Sequence, residues 1–168
     1  TTATTTATTT QAGLGDVIAS AGYTIFENGK LMLDLVGNVK FGTADASKNL
    51  GTGKNDYSAQ LDGYSTFGKT TLFATAGYKV VGEPAGTTVN NIAYGTLGIS
   101  QKVGDQTSAG LILDAAQSSS ELSPGTRELS VFVSSKINPD LKIQASLLKG
   151  FSDGSPDYGG SLMVTGMF

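Results

Sequence analysis

Along most of this chain, apolar and polar residues take turns. In residues 16–27, Val17, Ala19, Ala21, Tyr23 and Ile25 share one face, while Ile18, Ser20, Gly22, Thr24 and Phe26 share the other. In 30–42, Leu31, Leu33, Leu35, Val39 and Phe41 oppose Met32, Asp34, Val36, Asn38 and Lys40. The same period runs through Tyr57, Ala59 and Leu61, through Leu129, Val131 and Val133, and through Ile143, Ala145 and Leu147. A repeat of two puts successive side chains on opposite sides of a β-strand. The pattern predicts strands over 1–10, 16–27, 30–42, 56–67, 70–81, 92–103, 107–117, 127–137, 141–150 and 158–168. In the last of these, Tyr158, Leu162, Val164 and Phe168 fall on one face, against Ser161, Met163, Thr165 and Met167.

The connections alternate in length. Short turns are expected at Glu27-Asn28-Gly29, Phe67-Gly68-Lys69, Val103-Gly104-Asp105 and Asn138-Pro139-Asp140, with longer loops between them. Asn-Gly between alternating runs is the strongest short hairpin signal. Segments of about ten residues, short turns at one end and long loops at the other describe an up-and-down membrane barrel. Nearly every charge inside a strand lies on the polar face; Lys149 is the exception, placed where its stem snorkels toward headgroups. With no helix and no second apolar face, the strands have only lipid or a partner sheet to bury against. The expected fold is therefore all-β: a single domain over 1–168, an antiparallel up-and-down transmembrane β-barrel of about ten strands, more if the N-terminus is incomplete. Residues 1–10, TTATTTATTT, are a low-complexity Thr/Ala tract, either the first strand or a tail.

Composition sharpens this picture. Only 39% of the 168 residues are hydrophobic and 15% are charged, which suits a wall that meets lipid at alternate positions and leaves no run apolar enough for a membrane helix. The net charge of −3 argues against a nucleic-acid partner. No basic, apolar leader is present, so an exported protein is expected here in mature form. The absence of His and Cys removes Ser-His and Cys-His nucleophile pairs and the usual zinc sites, so neither enzyme activity, metal nor cofactor is expected. Gly51-Thr52-Gly53-Lys54 lacks the first Gly and the trailing Ser/Thr of a phosphate loop and reads as a flexible outer loop. Asp153 and Asp157 read as solvated loop charges ahead of weak cation ligands.

Several phrases carry a family resemblance: Gly13-Leu14-Gly15-Asp16-Val17, Val39-Lys40-Phe41-Gly42-Thr43, Leu50-Gly51-Thr52-Gly53, Asp56-Tyr57-Ser58, Leu72-Phe73-Ala74 and Gly150-Phe151-Ser152-Asp153-Gly154-Ser155-Pro156-Asp157. In order and spacing the chain resembles bacterial outer-membrane β-barrel transporters known as phenol meta-pathway degradation-like proteins. The resemblance implies an outer-membrane barrel that passes small solutes, hydrophobic ones among them, and brings no catalytic residues.

On this reading the polar face lines a narrow lumen. Asp34, Lys40, Asp62, Lys79, Asp114, Glu128, Lys142 and Gln144 point inward by period and are the candidate pore lining. Tyr23, Phe41, Phe67, Tyr78 and Phe168 read as an interfacial girdle near strand ends. The expected function is passive passage of a small-molecule solute across the bacterial outer membrane, with the lipid bilayer as partner. Two alternatives stand beside it. One is a closed structural barrel that anchors a protein partner or surface assembly. The other is a soluble β-sandwich whose apolar faces pack on one another.

Overall fold

The computed structural model describes residues 11–48 and 50–166. The expected strand over 1–10 and the terminal Met167 and Phe168 lie outside the described residues. Within them the chain forms β1 (Val17–Glu27), β2 (Leu31–Phe41), β3 (Asp56–Phe67), β4 (Thr70–Val80), β5 (Ile92–Lys102), β6 (Thr107–Ala116), β7 (Thr126–Asn138), β8 (Leu141–Gly150) and β9 (Tyr158–Gly166). Every strand pairs antiparallel with its sequence neighbours in one sheet, in the order β1 to β9. A single 3-10 turn, Ala46–Lys48, is the only helical element among the described residues.

Local chemistry sets the hairpins. At the β1–β2 turn, Gly29 takes φ of 78°, a left-handed conformation that side chains resist. Asn28 Oδ1 accepts the Leu31 N–H over 2.9 Å and fixes the reversal. Each long connection follows an even-numbered strand, so 42–55, 81–91, 117–125 and 151–157 gather at one end of the sheet.

Register settles the two faces. One row runs Leu33, Gly63, Ala74, Leu97, Leu113, Leu129, Lys149, Tyr158 from β2 to β9. The next row, on the other face, runs Thr24, Asp34, Asp62, Thr75, Thr96, Asp114, Glu128, Gly150. Burial is the reverse of a water-soluble sheet: Leu97 is 62% and Leu147 67% exposed, whereas Asp62 and Ser134 are 7% and 6%. Among the described residues no second sheet or helix covers the apolar face, so the facing-sheet packing of a sandwich is not present.

The sheet curls toward its polar face: Asp62, Phe132 and Ser134 on that face are buried although no second layer covers them among the described residues. A cavity of about 460 Å³ on that face takes lining from Ile18 of β1 to Thr126 of β7.

Three details correct the period-two reading. A bulge between Thr24 and Phe26 sets Phe26 opposite Leu33, so Phe26 joins the apolar face and not the polar one. β7 begins at Thr126, and Arg127 pairs with Ala115 on the apolar face, making a second outward cation beside Lys149. Tyr23 sits near the middle of β1 opposite Leu35, away from the strand end expected for a girdle residue.

Candidate functional site

Two hollows lie on the polar face, one toward each end of the strands. At the loop end, the cavity of about 460 Å³ is walled by Lys40, Asp56, Lys79, Tyr94, Asp114 and Thr126 among others. Lys40 sits between two carboxylates, with Nζ 3.2 Å from Asp16 Oδ2 and 2.9 Å from Asp56 Oδ2. Both acids are also tied to loop backbone: Ala44 N–H donates to Asp16 and Gly82 N–H to Asp56, each over 2.9 Å. The three charges therefore knit the loops to the sheet rather than standing free in the hollow. Backbone donation from Ala44, helped by the Lys40 ammonium, holds the Asp16 carboxyl below its ordinary value of 3.8.

Obliquely across the polar face, from near the turn end on β2 to near the loop end on β6 and β7, runs the acidic row, in which Asp34 faces Asp62 and Asp114 faces Glu128 as direct ladder partners. Like charges so placed repel. Hydroxyls and amides relieve most of them. Thr24 Oγ1 donates to Asp34 over 2.7 Å, Thr75 Oγ1 to Asp62 and Thr96 Oγ1 to Asp114 over 2.5 Å each. Gln60 Nε2 donates to both Asp62 oxygens, and Tyr94 OH closes the chain by donating to Gln60 Oε1 over 2.8 Å. No buried side-chain polar atom among the described residues lacks a partner.

At the short-turn end, a cavity of about 580 Å³ joins Lys102, Lys136 and Lys142 with Tyr64, Phe73 and Phe132. Each ring of an aromatic pair here covers a glycine on the neighbouring strand: Phe73 lies against Gly98, and Phe132 against Gly110. Tyr94 covers Gly77 in the same way nearer the loop end. An aromatic laid over a facing glycine buries the ring and shields bare backbone.

All eight expected lining residues share the polar face, yet they do not form one site. Lys40, Lys79 and Asp114 line the loop-end hollow. Lys142 and Gln144 line the turn-end hollow. Asp34, Asp62 and Glu128 belong to the oblique acidic row, with Asp62 consumed by its hydrogen bonds. Sequence reasoning passed over Tyr64, Phe73, Tyr94 and Phe132 because aromatics in alternating strands suggest the lipid side. Their parity with Asp62, Thr75, Thr96 and Glu128 was the signal that placed them inward. Lys102 and Lys136 were missed at strand ends. Asp153 and Asp157 join no cluster of three acidic side chains among the described residues.

Outside the polar face, Lys149 Nζ stands 4.1 Å from the centroid of the Tyr158 ring, a cation–π pair on the apolar side. No protein-family model matches the chain, and no curated protein matches it.

Proposed function

We propose that this chain is a bacterial outer-membrane β-barrel through which a small solute passes along the polar face. One observation carries the reading: the exposed surface is the apolar one, while carboxylates, hydroxyls and amides are turned inward, and every buried side-chain polar atom among the described residues has a partner. Water penalises a continuous apolar face running over nine strands; hydrocarbon does not. Strand lengths of 9–13 residues match a bilayer crossed at a tilt. The resemblance to outer-membrane transporters supports the same conclusion.

A barrel in lipid has no open edge, because an unpaired strand leaves backbone donors and acceptors unmet. The β1 and β9 edges therefore must be paired in the membrane-inserted form. Heat-modifiable migration on gels tests closure, and fractionation of cells tests localisation. Liposome swelling or planar-bilayer conductance with purified protein tests passage. A sealed barrel that anchors a partner is the second reading, favoured by the row from Thr24 to Asp114, whose inward carboxylates are engaged by neighbouring hydroxyl and amide donors. Sealed liposomes with correctly inserted protein decide for the anchor.

A further inference from the structure

We propose that the turn-end hollow binds an organic monocarboxylate with an apolar body, held by Lys136 and Lys142 at the rim and by aromatic rings within. The proposal rests on the solute-path reading and names the class of solute. Lys136 and Lys142 are direct ladder partners on the polar face, like charges set side by side. In the acidic pairs, Asp34, Asp62 and Asp114 receive hydroxyl or amide donors from this chain. The lysine pair receives nothing comparable: among the described residues neither Lys136, Lys142 nor the nearby Lys102 makes an ion pair. Asp105 is the lone acid lining the same hollow, so three cations meet one anion there. An anion entering from the turn end meets uncompensated charge.

Depth orders the chemistry. Along β7 the polar-face residues run Lys136, Ser134, Phe132, Ser130, Glu128 from the turn end toward the loop end. Phe132 lies four residues, about 13 Å, inside Lys136. Phe73, Tyr64 and Ile112 surround it in the same cavity of about 580 Å³. Deeper still are Asp114 and Glu128, which repel a second negative charge. A ligand therefore sits with its carboxylate at the lysines and its apolar end against the rings. A neutral apolar molecule forgoes the ammonium contacts, and an inorganic anion forgoes the rings.

The test uses the protein in lipid nanodiscs, titrated with 4-phenylbutanoate, its neutral amide and acetate, with empty nanodiscs subtracted. 4-Phenylbutanoate should bind at least tenfold more tightly than either control. K136Q/K142Q should lose at least tenfold of that affinity, while F132L, which keeps both cations, should lose less for acetate than for 4-phenylbutanoate. Equal binding of acid and amide, or unchanged binding in the lysine variant, overturns the site. Conductance of the same preparation separates the two ideas. Binding without conductance overturns the channel and keeps the site; conductance without selective binding overturns the site and keeps the channel. A chain that stays soluble without lipid is titrated in buffer, and the same comparisons decide.

Discussion

The Phe73 ring lies over Gly98, its partner across the β4–β5 ladder, so closely that a methyl group on Gly98 has no room. Gly37, on the apolar face of β2, has nothing within 4 Å of such a methyl. The two glycines therefore answer the same substitution differently. Gly98→Ala is expected to cost about 1–3 kcal/mol, the usual range for overpacking. Gly37→Ala should stay within about 0.5 kcal/mol, as for an open surface position. Urea unfolding of the refolded protein, followed by tyrosine fluorescence, measures both. Equal effects show that the ring does not rest on Gly98.

Leu97 stands at the centre of β5 on the apolar face, 62% exposed. Leu33 lies on the same face but close to the β1–β2 turn, packed beside Gly63. If that face meets lipid, the penalty for arginine depends on depth. Leu97→Arg should destabilise the inserted protein by about 2–4 kcal/mol, and Leu33→Arg by about 0–1 kcal/mol. Asp34→Leu, on the inward face, should assemble nearly as well as wild type. Folding titrations into bilayers read all three. Equal losses at Leu97 and Leu33 count against a membrane, since water has no such depth.

Strand positions and faces were legible because period-two alternation and the Asn28-Gly29 turn are local signals. Register was not written in any one strand. It took the ladder to show that Asp34 faces Asp62, that Asp114 faces Glu128, and that Lys136 faces Lys142. The inward charges thus mix at the loop end, where Lys40 and Lys79 stand with Asp56 and Asp114, and turn mainly cationic at the turn end with Lys102, Lys136 and Lys142. The Phe26 reversal was hidden for a different reason: a bulge adds one residue and flips parity without leaving a mark in composition. The inward aromatics Tyr64, Phe73, Tyr94 and Phe132 went unassigned because hydrophobicity says nothing about which partner, lipid or facing glycine, covers a ring.

The Asp16 carboxylate ties Ala44 and Lys40 to the mouth of the sheet, and the Ala44 N–H and Lys40 ammonium hold its carboxyl below 3.8. A depressed folded-state value contributes stability that is present above 3.8 and lost as pH falls through the lower folded value. The 42–55 loop should therefore be protected at neutral pH and released under acid, below pH 3.8. Hydrogen exchange at the Ala44 amide, corrected for its intrinsic rate, follows this. Asp16→Asn should lower protection at pH 7 and abolish the acid transition. The same transition in Asp16→Asn assigns it to another group.

Asp114 and Glu128 face each other near the loop end of β6 and β7, and Asp114 keeps its Thr96 bond whether it is charged or amide. Asp114→Asn with Glu128→Gln therefore removes two negative charges while leaving the hydrogen-bond acceptors in place. If ions pass along the polar face, this pair attracts cations and repels anions. The double variant should shift the reversal potential in a potassium chloride gradient toward the anion side. Screening makes the effect depend on salt, because the Debye length is about 30 Å at 0.01 M and about 3 Å at 1 M. The difference between variant and wild type should be large in dilute salt and nearly vanish at 1 M. A difference that persists at 1 M points to altered pore shape instead of charge. Identical reversal potentials in dilute salt would place both carboxylates off the conducting path and leave the row between Thr24 and Glu128 as a structural seal.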